Sequence, residues 1–262
     1  MSAERRIVAV ANQKGGVGKT TTAVNLAAAL AGLGRRTTVV DLDPQGNAST
    51  GMGVGREDRR VTSAELITGS ATLESSRHAT AIPEVTVVPA GPDLASLEVE
   101  LGAVQRRLYR LRETLRKAPV DEDLILIDCP PTLGFLTLNA LVAADGLLVP
   151  LQAEFYALEG LSQLLLTLRE VRRNANPALR LDGVVLTLSD ARNRLSQQVE
   201  ADARATLGDV VFQTVIPRNV RLSEAPSFGM PASLYDPLSK GSQAYDALAR
   251  EFLERCLGEG VS

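Results

Sequence analysis

The chain reads as an α/β protein, a mostly parallel sheet flanked by helices on both faces. Three observations lead there. Short β-branched and apolar runs recur along all 262 residues. Stretches of helical periodicity fill most of the gaps between them, the alternation that a parallel sheet with crossover helices requires. One run, LILID at 124–128, is nearly all apolar, as a strand covered on both faces must be.

The elements follow in order. Residues 6–11 (RIVAVA) form a first strand, and the Ala/Leu-rich stretch 20–33 a helix closed by Gly34. Residues 37–42 (TTVVDL) and 85–89 are strands, separated by a Gly, Ser and Asn-rich loop at 46–60. Between 93 and 117, Leu94, Leu97, Leu101, Val104, Leu108, Leu111 and Leu115 recur at helical spacing. The opposite face carries Arg106, Arg107, Arg110, Arg112, Arg116 and Lys117, which reads as a solvated helix face. Strands at 124–128, 146–151, 183–188 and 210–216 complete the sheet. No linker, repeat or low-complexity tract interrupts the pattern, so one domain spans residues 1–262.

Composition narrows the function. With 45% apolar and 23% charged residues the chain is ordinary for a globular protein, and its net charge of −3 gives no global sign of nucleic-acid binding. Cys129 and Cys256 are far apart and His78 is the sole histidine, which argues against a His/Cys zinc site, a disulfide framework and a Ser-His-Asp hydrolase. The N-terminus lacks the apolar core of a signal peptide. The longest apolar stretch, 138–151, contains Asn139 and Asp145 and is too short to span a bilayer, so a cytoplasmic location is expected.

The chemistry begins where the first strand ends. Gln13-Lys14-Gly15-Gly16-Val17-Gly18-Lys19-Thr20-Thr21 stands between that strand and a helix. Glycines let consecutive backbone N–H groups turn inward, and the helix adds its positive dipole end at the same spot. Lys19 can reach the β- and γ-phosphates of a nucleotide, and the Thr20 hydroxyl can ligate Mg²⁺. This is a P-loop, and the P-loop NTPase fold is expected with it. The ordinary pattern opens on Gly; here that position is Gln13, and Lys14 adds a second lysine inside the loop.

Two further segments supply carboxylates. Val39-Val40-Asp41-Leu42-Asp43-Pro44 places Asp41 and Asp43 on the same side of the chain at a strand's carboxyl end, the edge where doubly wound sheets bind ligands. Asp41 is expected as a Mg²⁺ ligand or as support behind one. The 124–128 strand ends in Asp128 before Cys129-Pro130-Pro131, the form of a Walker B strand, and Asp128 would hold Mg²⁺ directly or through water. Cys129 reads as buried packing.

Lys14-Gly15-Gly16-Val17-Gly18-Lys19-Thr20 resembles the deviant Walker A box of the ParA/MinD ATPases. DLDPQGN at 41–47 and VIPRNVRLSEAPSFG at 215–229 are similar to segments of chromosomal ParA (Soj-type) partitioning ATPases, and the resemblance runs from Ile7 to about Phe252. It implies ATP as the nucleotide, with Lys14 reaching across a nucleotide-sandwich homodimer to the partner's ATP and Asp43 orienting the attacking water. It implies that Pro217 and Asn219 flank adenine. It also implies a non-specific DNA surface matched by Arg192 and Arg221, which Arg218, Arg194 and Lys240 would widen, and a nucleoid-associated location. Hydrolysis would be stimulated by a ParB-type (Spo0J-like) DNA-binding partner. The competing expectations are a metabolic or metal-cluster carrier of the same fold, against which stands the lack of closely placed cysteines, and a MinD-like membrane ATPase. The tail at 247–257 has an apolar side, but Arg250 and Arg255 are mixed with Glu251 and Glu254, without the cationic bias of a lipid-binding helix.

Overall fold

The computed structural model describes residues 5–154, 157–190 and 192–258, with the backbone alone at 157–159 and 257; the first residues, read above as lacking a signal peptide, lie outside it up to residue 4. Eight strands form one sheet: β1 (Arg6–Val10), β2 (Thr37–Asp41), β3 (His78–Ala79), β4 (Val85–Val88), β5 (Leu124–Asp128), β6 (Gly146–Gln152), β7 (Arg180–Ser189) and β8 (Val211–Pro217). The helices are α1 (Lys19–Gly32), α2 (Asn47–Gly51), α3 (Ser63–Thr68), α4 (Leu73–Ser76), α5 (Leu97–Glu100), α6 (Arg110–Lys117), α7 (Phe135–Ala143), α8 (Ala157–Asn174), α9 (Arg194–Leu207), α10 (Val220–Glu224), α11 (Ala232–Tyr235) and α12 (Lys240–Leu257). The sheet order is β3-β4-β2-β5-β1-β6-β7-β8, and every pairing is parallel except β3 with β4.

The strand alternation sorts the apolar residues onto two faces. Ile7, Ala9, Ile125 and Ile127 point into one core, closed by α3, α6, α7 and α8. Val8, Val10, Leu124 and Leu126 point into the other, closed by α1 and α12. Because parallel strands run the same way, all their carboxyl ends meet at one edge. There the register sets Asp128 of β5 beside Asp41 of β2 and Val10 of β1, with the start of α1 directly after.

Two expectations are corrected. Residues 93–117 are not one helix: a 3₁₀ turn at Pro92–Ala95, the single turn of α5, a second 3₁₀ turn at Arg107–Tyr109 and α6 replace it. Gly102 and the left-handed Arg106 (φ 60°) interrupt the run. Burial survives where continuity does not, since Leu94, Leu97, Leu101, Leu111 and Leu115 are all in the core while Val104 is exposed. The loop at 46–60 likewise contains α2 and a 3₁₀ turn at Arg56–Asp58. Among the described residues no helix is long and apolar enough to cross a membrane.

Candidate nucleotide site

The loop between β1 and α1 is built for an anion. Gly16 (φ 74°) and Gly18 (φ 85°) are left-handed, a geometry L side chains resist. Gly15 and Gly16 are exposed, and a Cβ at either would project into open space, so their backbone is accessible from outside. Gly18 caps α1 without a side-chain hydrogen bond, and no acidic residue stands in the first turn. The other long helices with a described cap are finished by Asn193 and Ser239 side chains. The leading N–H groups of α1 are thus left for an outside acceptor, at the positive end of the helix dipole.

Lys19 is 7% exposed and its Nζ donates to the Lys14 carbonyl at 2.9 Å. Burial lowers its pKa, opposed by Asp128, Cys129 and Asp43. Two other bonds brace the loop. The Thr187 hydroxyl of β7 donates to the Val17 carbonyl at 2.8 Å, and Asn12 accepts from the Lys14 N–H while donating to the Pro150 carbonyl.

The paired carboxylates differ sharply in their satisfaction. Asp41 is fully buried, yet its oxygens accept from the Ser49 N–H (2.9 Å), the Ser49 hydroxyl (2.7 Å) and the Asp43 N–H (3.1 Å). Burial raises its pKa to about 6, with these bonds pulling the other way. Asp128 is equally buried and neither of its oxygens has a hydrogen-bond partner. Burial, then the Asp41 charge beside it, pushes its pKa well above the usual carboxylate range, while Thr20 and Lys19 oppose the shift. A buried, ionised, unpartnered carboxylate costs on the order of several kcal/mol. A hard cation is the natural relief, and Asp128 with the Thr20 hydroxyl supplies the oxygen donors it takes. Among the described residues no group of three His, Cys, Asp or Glu side chains could hold a metal by itself. Asp43 is half-buried in the turn after β2, where its carboxylate accepts from the Gln45 N–H at 3.0 Å. The Cys129 thiol is buried and its pKa raised by burial, as a packing residue's would be.

From Gly18, Thr20 and Thr21 a cavity of about 490 Å³ runs past Val24 and Asn47 to Asn219, Pro226 and Met230. Asn219 therefore faces the same space as the cradle. Its carbonyl caps α10 by accepting from the Arg221 N–H at 2.9 Å, which leaves its amide donor free of that duty. Pro217 ends β8 opposite Ser189 and does not line the cavity.

Lys14 is turned to its own chain, with Nζ 2.7 Å from Glu154. Among the candidate DNA residues, Arg192 and Arg218 are exposed, and the Arg218 N–H donates to the Ser189 carbonyl, which brings the two loops together. Arg221 is exposed but paired with Glu224 (2.8 Å) and Asp236 (3.1 Å).

Comparison with known proteins decides the lineage. Residues 5–181 match the family described as AAA domain. The chain is 54% identical to "Chromosome partitioning protein ParA" of Caulobacter vibrioides, over 95% of this chain and 94% of that one. It is 53% identical to "Chromosome-partitioning ATPase Soj" of Thermus thermophilus, over 97% and 98%. This chain belongs to the ParA/Soj family of chromosome-partitioning ATPases. Among solved structures, "Cobyrinic Acid a,c-diamide synthase from Mycobacterium smegmatis with bound ATP analog and Magnesium" superposes with a TM-score of 0.84 at 37% identity, covering 98% of both chains. For a ParA/Soj family member, the glycines, Lys19, Thr20, Asp41 and Asp128 gather at one sheet edge as their positions implied. Sequence reasoning missed Ser49, Asn12, Thr187 and Glu154, each of which touches that edge from a distant stretch of chain or from a neighbouring loop with no motif of its own.

Proposed function

We propose that this chain is an ATP-driven partitioning switch. It binds ATP with Mg²⁺ in the cradle between β1 and α1 and pairs with a second copy around the nucleotide. The pair takes up double-stranded DNA without sequence preference, on the nucleoid in the cytoplasm. It lets go when a ParB-type (Spo0J-like) DNA-binding protein stimulates hydrolysis and so moves a chromosome or plasmid.

The observation that carries this is the coincidence at one edge of an uncapped helix, a buried lysine and an orphaned aspartate, in a chain similar over nearly its whole length to partitioning ATPases. Backbone N–H groups from Gly15 to Thr21 would hold the triphosphate, and Lys19 would neutralise its end. Thr20 and Asp128 would hold Mg²⁺, with Asp41 fixing the β2 edge behind them; the ion supplies charge neutralisation across the phosphate oxygens. Asp43 would orient the attacking water, and Asn219, which lines the cavity as Pro217 does not, would meet adenine. Lys14 would leave Glu154 to reach the partner copy's nucleotide, adding a second cation where charge develops. Arg192, Arg218 and Arg221 would meet DNA phosphates.

The membrane-bound alternative needs the apolar side of the last helix to be free. Leu248, Phe252 and Leu253 are instead buried where α12 packs on β8 and α1. Co-sedimentation with non-specific duplex DNA tests the proposal. Retention with ATP, its loss with ADP, and steep weakening by salt are expected; equal retention with both nucleotides, or none with either, contradicts it.

A further inference from the structure

Arg59 lies in the stretch read from sequence as a plain loop, yet its guanidinium is the hub of that loop. Nη2 donates to the Gly46 carbonyl (3.1 Å), the Thr50 hydroxyl (2.8 Å) and the Val54 carbonyl (3.1 Å). Nε adds a second bond to Val54, and Nη1 reaches the Ala90 carbonyl beyond β4 at 3.3 Å. Its bonds go to carbonyls and a hydroxyl, while the charges of Asp41 and Glu57 act on it without forming an ion pair among the described residues. Gly46 is left-handed (φ 66°), and a Cβ there would run into the guanidinium, so glycine is required both for the turn and for the approach.

These bonds close a ring around the two aspartates of the β2 edge. Asp41 accepts from the Ser49 hydroxyl, and Ser49 Oγ accepts from the Ala90 N–H at 3.0 Å. The Ala90 carbonyl accepts from Arg59, and Arg59 donates on to the Gly46 carbonyl. The Gly46 N–H donates to the Asp43 carbonyl at 2.8 Å, and the Asp43 N–H returns to Asp41. The Leu42 N–H, one residue before Asp43, ties the β2 edge to the Asp128 carbonyl of β5 at 2.9 Å, and the ring fixes the turn that follows it, with both the N–H and the carbonyl of Asp43 in it. The planar fork spreads its donors from three nitrogens over carbonyls of three separate segments and the Thr50 hydroxyl; a lysine ammonium has three donors on a single nitrogen and no fixed spread between them.

We propose that Arg59 is a positioning residue for ATP hydrolysis, holding the turn that carries Asp43 in register with the phosphate cradle. The proposal rests on the reading of Asp43 as the residue that orients water. An error of about 1 Å in such a group can cost on the order of 100-fold in rate without touching ground-state binding.

The test uses the full chain with Arg59→Met, Arg59→Lys and Arg59→Ala, reading thermal melting, equilibrium binding of a fluorescent ATP analogue with Mg²⁺, and kcat. Arg59→Met and Arg59→Lys are expected to lower kcat about tenfold or more while binding stays within about threefold. Guanidinium added at millimolar levels should restore part of the Arg59→Ala turnover and leave the wild type unchanged. Should Arg59→Met not fold, Arg59→Lys carries the test, since it keeps the charge and loses the fork. Unchanged kcat overturns the proposal. So does a joint loss of binding and turnover with no response to guanidinium, which would make Arg59 a staple of the whole site. Asp43→Ala measured in parallel separates the two claims: normal turnover there removes the reading of Asp43, whereas an inactive Asp43→Ala beside a normal Arg59→Met removes Arg59 alone.

Discussion

The phosphate cradle and the arginine loops share the carboxyl edge of one sheet, but they hold their charges differently. Lys19 and Asp128 are 7% and 0% exposed, and Asp128 has no hydrogen-bond partner. The arginines at 192, 218 and 221 stand in solvent, and Arg221 already has two carboxylates. A buried unpaired charge is costly in the empty protein, and its ligand relieves that cost. An exposed ion pair is worth only about 0–1 kcal/mol and is readily exchanged. The cradle is thus suited to one strongly held occupant, whereas the arginine loops would offer the proposed DNA partner a weak, negotiable surface.

Breaking the buried side should give the largest effects. Lys19→Ala removes the buried ammonium at the cradle, and Mg²⁺-ATP affinity should fall about 100-fold or more in a fluorescent-nucleotide titration. Retained affinity would dissolve the contrast at once. Asp43→Ala should cut turnover by about 10²–10⁴ while ATP binding persists, read by steady-state hydrolysis beside equilibrium binding.

A subtler prediction turns on Asp128 itself. Its folded pKa is raised, so between the unfolded and folded values the native state holds the extra proton, and stability falls as pH rises through that window. At pH 8 without Mg²⁺, Asp128→Asn should thus melt higher than the wild type, by about 2–4 °C per kcal/mol recovered, although it loses the Mg²⁺ dependence of nucleotide binding. A lower melting point would show that the buried carboxylate is satisfied in a way the structure does not contain.

The exposed side should respond least. Arg221→Glu should weaken DNA retention at low salt and reduce the salt slope by about one to two, leaving ATP turnover intact. Glu224→Gln, which frees Arg221 from a partner, should tighten DNA a few-fold. If both leave gel shifts unchanged, the arginine loops are ordinary surface.

The same contrast explains what the sequence could reveal. Gly15, Gly16, Gly18, Lys19 and Thr20 are contiguous, so the physics of the cradle is local and readable. Asp41 and Asp128 are readable too, because each ends a strand and parallel register brings strand ends together. The partners of these groups are not. Thr187 meets Val17 and Glu154 meets Lys14 across more than a hundred residues, and no pattern at either position announces the contact. Ser49 and Arg59 lie nearer, but a loop's hydrogen bonds follow from its backbone path, which composition does not specify. The leucines of 93–117 fit a helix and are mostly buried, yet one glycine and one left-handed arginine break it, because apolar spacing records which side faces the core and not whether the chain is continuous.

In the proposed assembly the cradle is half of a site completed by a second copy, with Lys14 released from Glu154 to do it. Sedimentation velocity of the Asp43→Ala chain, with and without a further Lys14→Ala change, tests this most directly. With Mg²⁺-ATP the Asp43→Ala chain should sediment as a dimer, and with ADP as a monomer; adding Lys14→Ala should return it to a monomer while it still binds ATP. An ATP-bound dimer that persists without the Lys14 ammonium would contradict the account.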